Sequence, residues 1–299
     1  MKILLTGAGG QLGRDCIEVL GADNAVYAFG SRELDIADAE QVRQRLQAVK
    51  PDVVVNCAAY TAVDGCETER VNCWRVNAEG AGIMASACAE NGARLIHIST
   101  DYVFDGRRDV PKPYSETDPV HPLSQYGASK LAGEEQIRDR LKDHLILRTS
   151  WLYGIGGRNF LTTMLRLALS DPRRMIRVVN DQYGSLTWTH RLALQIQTLL
   201  PTDVTGTFHA TAEGHGTWYE GAKLFLEAMK VPYSLEPCAT EDYPTPAKRP
   251  ANSILINSRL NTFGLNRMAP WEEDVVTFAN RFRAELLAKS SGEQGLKPA

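Results

Sequence analysis

The sequence predicts an α/β fold: a doubly wound parallel sheet in the first half of the chain and a smaller α+β subdomain after it. Three observations predict this. Short apolar runs alternate with helical periodicity over residues 1–150, and that alternation implies right-handed βαβ units around a parallel sheet. Val53–Asn56 is an unbroken β-branched run, as a strand covered on both faces should be. Beyond residue 150 the pattern loosens, and prolines gather between Pro232 and Pro250.

Lys2–Leu5 is the first strand and ends at a glycine turn. A helix follows over Gln11–Leu20, a strand over Ala25–Phe29 and a helix over Ala39–Val49. Asp38 is its N-cap, with Gln41 three residues on as in a capping box. After Val53–Asn56, Asn72–Asn91 reads as one long helix that Gly92 ends. Arg94–Ser99 is the fourth strand, Gln125–Leu141 a helix and Leu145–Ser150 the fifth strand. Helices are then expected over Phe160–Leu169, His190–Leu200 and Trp218–Met229, and strands over Ile176–Val179 and Thr207–Ala210. Residues 1–150 with parts of 176–205 form one expected domain; 151–175 and 206–299 form the smaller one. Pro244, Pro246 and Pro250 flank Arg249, so that segment reads as a stiff surface strap, and the tail after Lys289 reads as frayed.

The chain has 299 residues, 43% hydrophobic and 23% charged, an ordinary globular mixture that excludes collagen-like and disordered classes. A net charge of -3 provides no electrostatic footprint for nucleic acid or an anionic membrane. The six cysteines (Cys16, Cys57, Cys66, Cys73, Cys88 and Cys238) form no C-x-x-C pair and are expected to be reduced and structural. Met1 leads straight into a strand, and no apolar run reaches the ~20 residues that cross a bilayer. A cytoplasmic, soluble protein is the expectation. Metal-ligand clustering is absent from the sequence, so no metal site is expected.

The turn Thr6-Gly7-Ala8-Gly9-Gly10-Gln11-Leu12-Gly13 joins the first strand to the first helix. Gly7, Gly10 and Gly13 are three apart. One glycine makes the tight turn, one lets backbone approach a pyrophosphate, and one lets helix pack close to strand. The helix N-terminus then offers free N–H groups and partial positive charge to phosphates. The turn therefore points to a dinucleotide in a Rossmann-type sheet. An NAD-selective fold usually carries an acid at the end of the second strand. Here Phe29-Gly30-Ser31-Arg32 carries none, and a hydroxyl and a cation follow. That favours NADPH, with Arg32 on the 2′-phosphate, and leaves NADH open. Asp35 and Ile36 would face the adenine.

Tyr126-Gly127-Ala128-Ser129-Lys130 places a phenol and an ammonium one helical turn apart on one face. A phenol with a pKa of about 10 donates and accepts protons poorly near neutrality, and a neighbouring ammonium lowers that value. A second Tyr-x-x-x-Lys occurs at Tyr219 and Lys223. Position chooses between them: Tyr126 follows the fourth strand at the carboxyl edge of the sheet, where cofactors sit. Ser99 and Thr100 end that strand, and the Thr100 hydroxyl can hold a substrate carbonyl beside Tyr126. His97, inside the same apolar strand, reads as a packed core histidine.

These motifs, together with E-L-D-I at 33–36, N-C-A-A-Y-T-A-V-D at 56–64, S-T-D-Y-V-F-D-G at 99–106, R-T-S-W-L-Y-G at 148–154 and Arg249-Pro250, cover nearly the whole chain. The chain resembles the extended short-chain dehydrogenase/reductase family, and more narrowly its reductases of 4-keto deoxysugar nucleotides. The resemblance implies that Thr100, Tyr126 and Lys130 are catalytic. It implies a cofactor held by Gly10, Gln11, Leu12, Asp35, Ile36, Ala59, Tyr60, Thr61 and Lys130. It implies a dTDP-deoxysugar touched by Thr100, Asp101 and Trp151, with Arg249 on its phosphates, and it leaves a homodimer open. Dehydratases of similar fold carry an acidic pair after the Thr. Here Tyr102 follows Asp101, which argues against elimination. Gly65-Cys66 departs from the Lys or other polar residue that relatives often carry after Val-Asp. Two rivals stand beside the reductase: another 4-keto sugar-nucleotide reductase or epimerase, and a non-catalytic dinucleotide-binding regulatory subunit. The intact Thr100, Tyr126 and Lys130 speak against the regulatory subunit.

Overall fold

The computed structural model describes residues 1–292. β1 (Lys2–Thr6), α1 (Gln11–Gly21), β2 (Ala25–Phe29), α2 (Ala39–Val49), β3 (Val53–Asn56), α3 (Gly80–Asn91), β4 (Arg94–Thr100), α4 (Gln125–Arg140) and β5 (His144–Thr149) alternate along the chain. They are followed by α5 (Phe160–Ser170), β6 (Met175–Val179), α6 (Thr189–Leu199), β7 (Gly206–His209), α7 (Trp218–Met229), β8 (Ser234–Cys238) and α8 (Trp271–Gly292). Six strands form one parallel sheet in the order β7-β5-β4-β3-β1-β2.

The sheet is buried on both faces because its strands are apolar at successive positions. Ile3, Leu5, Val53, Val55, Leu145 and Leu147 face one core with α1 and α6. Leu4, Val54, Leu95 and Ile146 face the other with α2, α3 and α4. The direction of winding reverses between β1 and β3. A crevice opens beyond the strands' carboxyl ends at such a point, and ligands bind there. A second core joins α5, α7 and α8 to the parallel pair β6–β8, built on Leu165, Trp188, Phe225 and Phe278.

Several expectations change. The boundary at residue 206 is displaced: β7 completes the main sheet beside β5, because Phe208 and Ala210 are needed in the core under α1. Met175–Val179 leaves the main sheet and pairs instead with Ser234–Cys238, inside the stretch where prolines gather. The long helix at 72–91 is broken. An α-helical turn at Arg70–Trp74 passes through a π-helical turn at Arg75–Glu79 before α3 begins. The wider turn has a local use: the Asn77 side chain accepts from Tyr60 N at 2.8 Å and donates to Tyr60 O at 3.1 Å. Asp38 caps α2 as expected. The reciprocal half of the box is not made, because Gln41 accepts from Asp35 N instead. The C-terminal helix runs on through Gly292, and the rest of the tail expected to fray lies outside the described residues. All six cysteines are free. Among the described residues no helix is long and apolar enough to cross a membrane.

Candidate active site

A cavity of about 1010 Å³ opens at the β1/β3 reversal. The glycine turn forms its floor. Gly7 has φ +71°, and a Cβ there would stand 2.7 Å from Ala58 N, so only glycine fits. A Cβ at Gly13 would collide with the Gly7 carbonyl, which is the close helix–strand approach the spacing predicts. Gly10 is the N-cap of α1, which has no side-chain cap and no acid in its first turn. Its free N–H groups and positive dipole end suit an anionic pyrophosphate. Gly7, Gly10, Gln11, Leu12 and Gly13 all line the cavity.

Asp35 and Ile36 line one end, and Ala59, Tyr60 and Thr61 the middle. Arg32 does not join them; it is exposed, outside the cavity. The turn after β2 folds back on Gly30 O and turns Leu34 and Ile36 inward, which leaves Arg32 on the outer side. The cation at this end is Arg75, from the π-helical turn, whose guanidinium pairs with Asp35 at 2.7 Å. Its distance in sequence from β2 hid it.

Thr100 ends β4 and caps the short turn Asp101–Val103, accepting from Tyr102 N at 3.2 Å and donating to Asp101 at 3.0 Å. α4 starts on Ser124 as N-cap. Gly127 lets it rest on the carbonyl of Tyr102, where any Cβ would collide. That contact brings Tyr126 to Thr100, and Lys130 follows one turn on, fully buried. Burial and then Asp101 push the Tyr126 phenol above its ordinary value, and the neighbouring Thr100 hydroxyl offsets part of this. Burial raises Asp101 to about 6 and draws Lys130 down to about 8. Tyr219 packs on the second core, and neither it nor Lys223 lines the cavity.

An aromatic wall closes the far side. Trp151 stacks on Trp218 with ring centroids 3.7 Å apart and planes 14° apart, and Phe160 lies 4.6 Å from Trp218. Trp151 holds φ +49°, a left-handed conformation that a bulky residue adopts only when its surroundings impose it. Gly184 leaves the room, since a Cβ there would stand 2.6 Å from the indole. Trp218 was not among the sequence candidates. The Thr217/Glu220 capping box marks where its helix begins, and nothing in the sequence says that this end faces the cavity.

Arg249 is also corrected. It does not line the cavity, because Asp64 claims its guanidinium at 2.8 Å. Asp64 also accepts from Ala247 N, so the proline-rich strap is clipped to the loop after β3. At the Gly65-Cys66 departure a Cβ on Gly65 would lie 2.7 Å from the Tyr60 hydroxyl, the far end of that side chain. Cys66 is buried against Cys73, Sγ to Sγ 2.6 Å.

Residues 1–284 match the family model described as the RmlD substrate binding domain. The chain belongs to this family. A relative is the dTDP-4-dehydrorhamnose reductase of Escherichia coli K12, 41% identical, with 88% of this chain and 90% of that protein aligned. Another is the dTDP-4-keto-6-deoxy-D-glucose reductase of Streptomyces niveus, 37% identical, with 90% of this chain and 93% of that protein aligned. Among solved structures, the dTDP-4-dehydrorhamnose reductase of Bacillus anthracis in complex with NADP superposes with a TM-score of 0.90 at 39% identity, covering 94% of this chain and 99% of that one. In this RmlD-family chain, residues of the glycine turn, of β4 and of α4 meet in one cavity, and the aromatic wall stands opposite.

Proposed function

We propose that the protein reduces the C4 keto group of dTDP-4-dehydro-L-rhamnose to dTDP-L-rhamnose, the last step in making that nucleotide sugar. NADPH is the donor and NADH can replace it. The observation that carries this reading is the meeting of Thr100, Tyr126 and Lys130 in the same cavity as an uncapped glycine turn. Residues 1–150 with α6 and β7 hold the dinucleotide, and the second core holds the deoxysugar nucleotide, in the cytoplasm.

The bound reduced nicotinamide supplies the hydride. Thr100 donates to the keto oxygen and orients it. Tyr126 gives that oxygen its proton. Lys130, as the ammonium, stabilises the phenolate left behind. Trp151 and Trp218 offer a flat apolar face to the sugar or base, and Asp101 binds a sugar hydroxyl. Gly7, Gly10, Gln11, Leu12 and Gly13 receive the pyrophosphate, with Ala59, Tyr60 and Thr61 alongside. Arg75 takes the role first assigned to Arg32, on the 2′-phosphate.

Incubated with NADPH and dTDP-4-dehydro-L-rhamnose, the enzyme should oxidise NADPH stoichiometrically. The Streptomyces niveus likeness favours one alternative, reduction of a different dTDP-4-keto-6-deoxysugar. Turnover of that sugar alone would replace the first assignment. Arg75→Ala should raise the KM for NADPH about tenfold or more while leaving that for NADH nearly unchanged, because a charge-assisted contact is worth about 1.5–3 kcal/mol. Equal effects on both cofactors would remove Arg75 from 2′-phosphate recognition.

A further inference from the structure

His97 is buried in β4 and looks like packing, yet its ring joins a directed chain of hydrogen bonds that ends on Lys130. The chain starts at the Ala58 backbone N–H, which meets the Asn56 side chain at 3.2 Å. A backbone N–H can only donate, so the Asn56 atom it meets is the carbonyl oxygen. The Thr6 hydroxyl donates to the same oxygen at 2.6 Å. The Asn56 amide nitrogen therefore faces His97 Nδ1, 3.0 Å away, and it too can only donate. His97 Nδ1 is an acceptor, and the neutral ring carries its proton on Nε2. That N–H points at Lys130 Nζ, 3.1 Å away. An ammonium has no lone pair to receive it; a neutral amine does. The amine still donates one N–H to Ile98 O at 2.7 Å.

We propose that His97, oriented by Asn56, is a positioning residue that favours the neutral amine of Lys130 over its ammonium in the ligand-free protein and so lowers the pH at which that ammonium is lost. The other groups around Lys130 do not reverse this. Cys57 in the loop after β3 and Cys73 in the turn before the π-helix favour the ammonium, but burial outweighs them, and Tyr126, one turn back on α4, is a phenol held protonated. Glu134, one turn on, would favour the ammonium, but its oxygens are already engaged by Arg148, Arg138 and Ser99. The imidazolium form of His97 is closed off as well, since Asn56 occupies Nδ1 as a donor. Burial first, and Lys130 whenever it is charged, hold His97 well below the ordinary histidine value, and burial draws Lys130 to about 8.

The test is a pH titration of the protein carrying 13Cε-labelled lysine, without ligand, with the Lys130 resonance assigned by its loss in Lys130→Met. Wild type should titrate near 8. His97→Phe keeps the ring volume and removes the Nε2–H, and it should move the midpoint up by about one pH unit or more. Asn56→Asp should do the same by another route: a carboxylate draws the ring proton to Nδ1 and turns Nε2 into an acceptor for the ammonium. Thermal melts confirm that each variant is folded, and either variant alone suffices if the other fails to fold. An ordinary lysine midpoint in wild type, or an unmoved midpoint in a folded variant, overturns the proposal and returns His97 to packing. The inference also rests on the reductase reading for one kinetic consequence: the alkaline limb of kcat/KM should rise in step with the midpoint. A shifted resonance without any sugar-dependent NADPH oxidation sinks the reductase reading and leaves the His97 assignment standing.

Discussion

Replacing Tyr126 with Phe is expected to lower kcat by about 10²- to 10⁴-fold, the range lost when a positioned proton donor is removed. At 1.36 kcal/mol per decade that is about 3–5 kcal/mol of barrier. Only a hydroxyl is deleted. The ring keeps its edge-to-face contact with Tyr102, centroids 5.5 Å apart, so α4 should stay seated. Burial and Asp101 hold the phenol above its ordinary value. The group therefore stays protonated across the physiological range, and the proposed transfer calls for Lys130 as the ammonium. NADPH binding, read by fluorescence titration, should change little. A loss of affinity matching the loss of rate would make Tyr126 a binding group. An unchanged rate would strike it from the mechanism and would revive the regulatory-subunit alternative.

How far the sequence carries depends on which kind of contact is asked about. The strands of the first half were legible because Val53–Asn56 and its neighbours are buried on both faces and show it as unbroken apolar runs. β8 was hidden for the opposite reason: in Ser234–Cys238 only Cys238 is buried, and the segment contains Pro237 and shows no alternation. The π-helical turn is a single extra residue within a helical period, which periodicity does not resolve. α8 did carry a signal, with Trp271, Val275, Phe278, Phe282 and Leu286 at helical spacing, and attention to that spacing would have found it. At the site, Thr100, Tyr126 and Lys130 were legible because each lies at the end of a strand or the start of a helix whose place in the sheet was already predicted. Arg75 and Trp218 were not. Each reaches the cavity from an element far along the chain, and only the folded packing brings them there. Arg32 and Arg249 misled because sequence proximity to a motif is not orientation: one turns outward, and the other is taken by Asp64.

The second large effect concerns the pair that holds this machinery in place. Glu134 has no exposed surface and binds Arg148 through two parallel bonds, Nε to Oε1 at 2.9 Å and Nη2 to Oε2 at 2.7 Å. Ser99 adds a third bond at 2.6 Å. The three residues tie α4 to β4 and β5, one residue before Thr100, one residue before Thr149 and one turn beyond Lys130. Glu134→Ala leaves a buried guanidinium uncompensated, and breaking such a pair costs about 3–5 kcal/mol. That corresponds to a Tm lower by about 5–8 °C for a chain of this size. Replacing both partners together, Glu134→Leu with Arg148→Met, should cost much less, because no unpaired charge remains buried. The pH dependence has a definite sign. Arg148 and the other donors outweigh burial and hold Glu134 below its ordinary value of 4.5. Its contribution is therefore complete above the unfolded value and is lost as pH falls through the folded one. Chemical denaturation of wild type and Glu134→Ala should show a constant gap from neutrality down to about pH 5, narrowing below it. A gap that widened on acidification would mean that Glu134 is held protonated in the native state. The tie between this helix and these strands would then rest on the hydrogen bond to Ser99 rather than on charge.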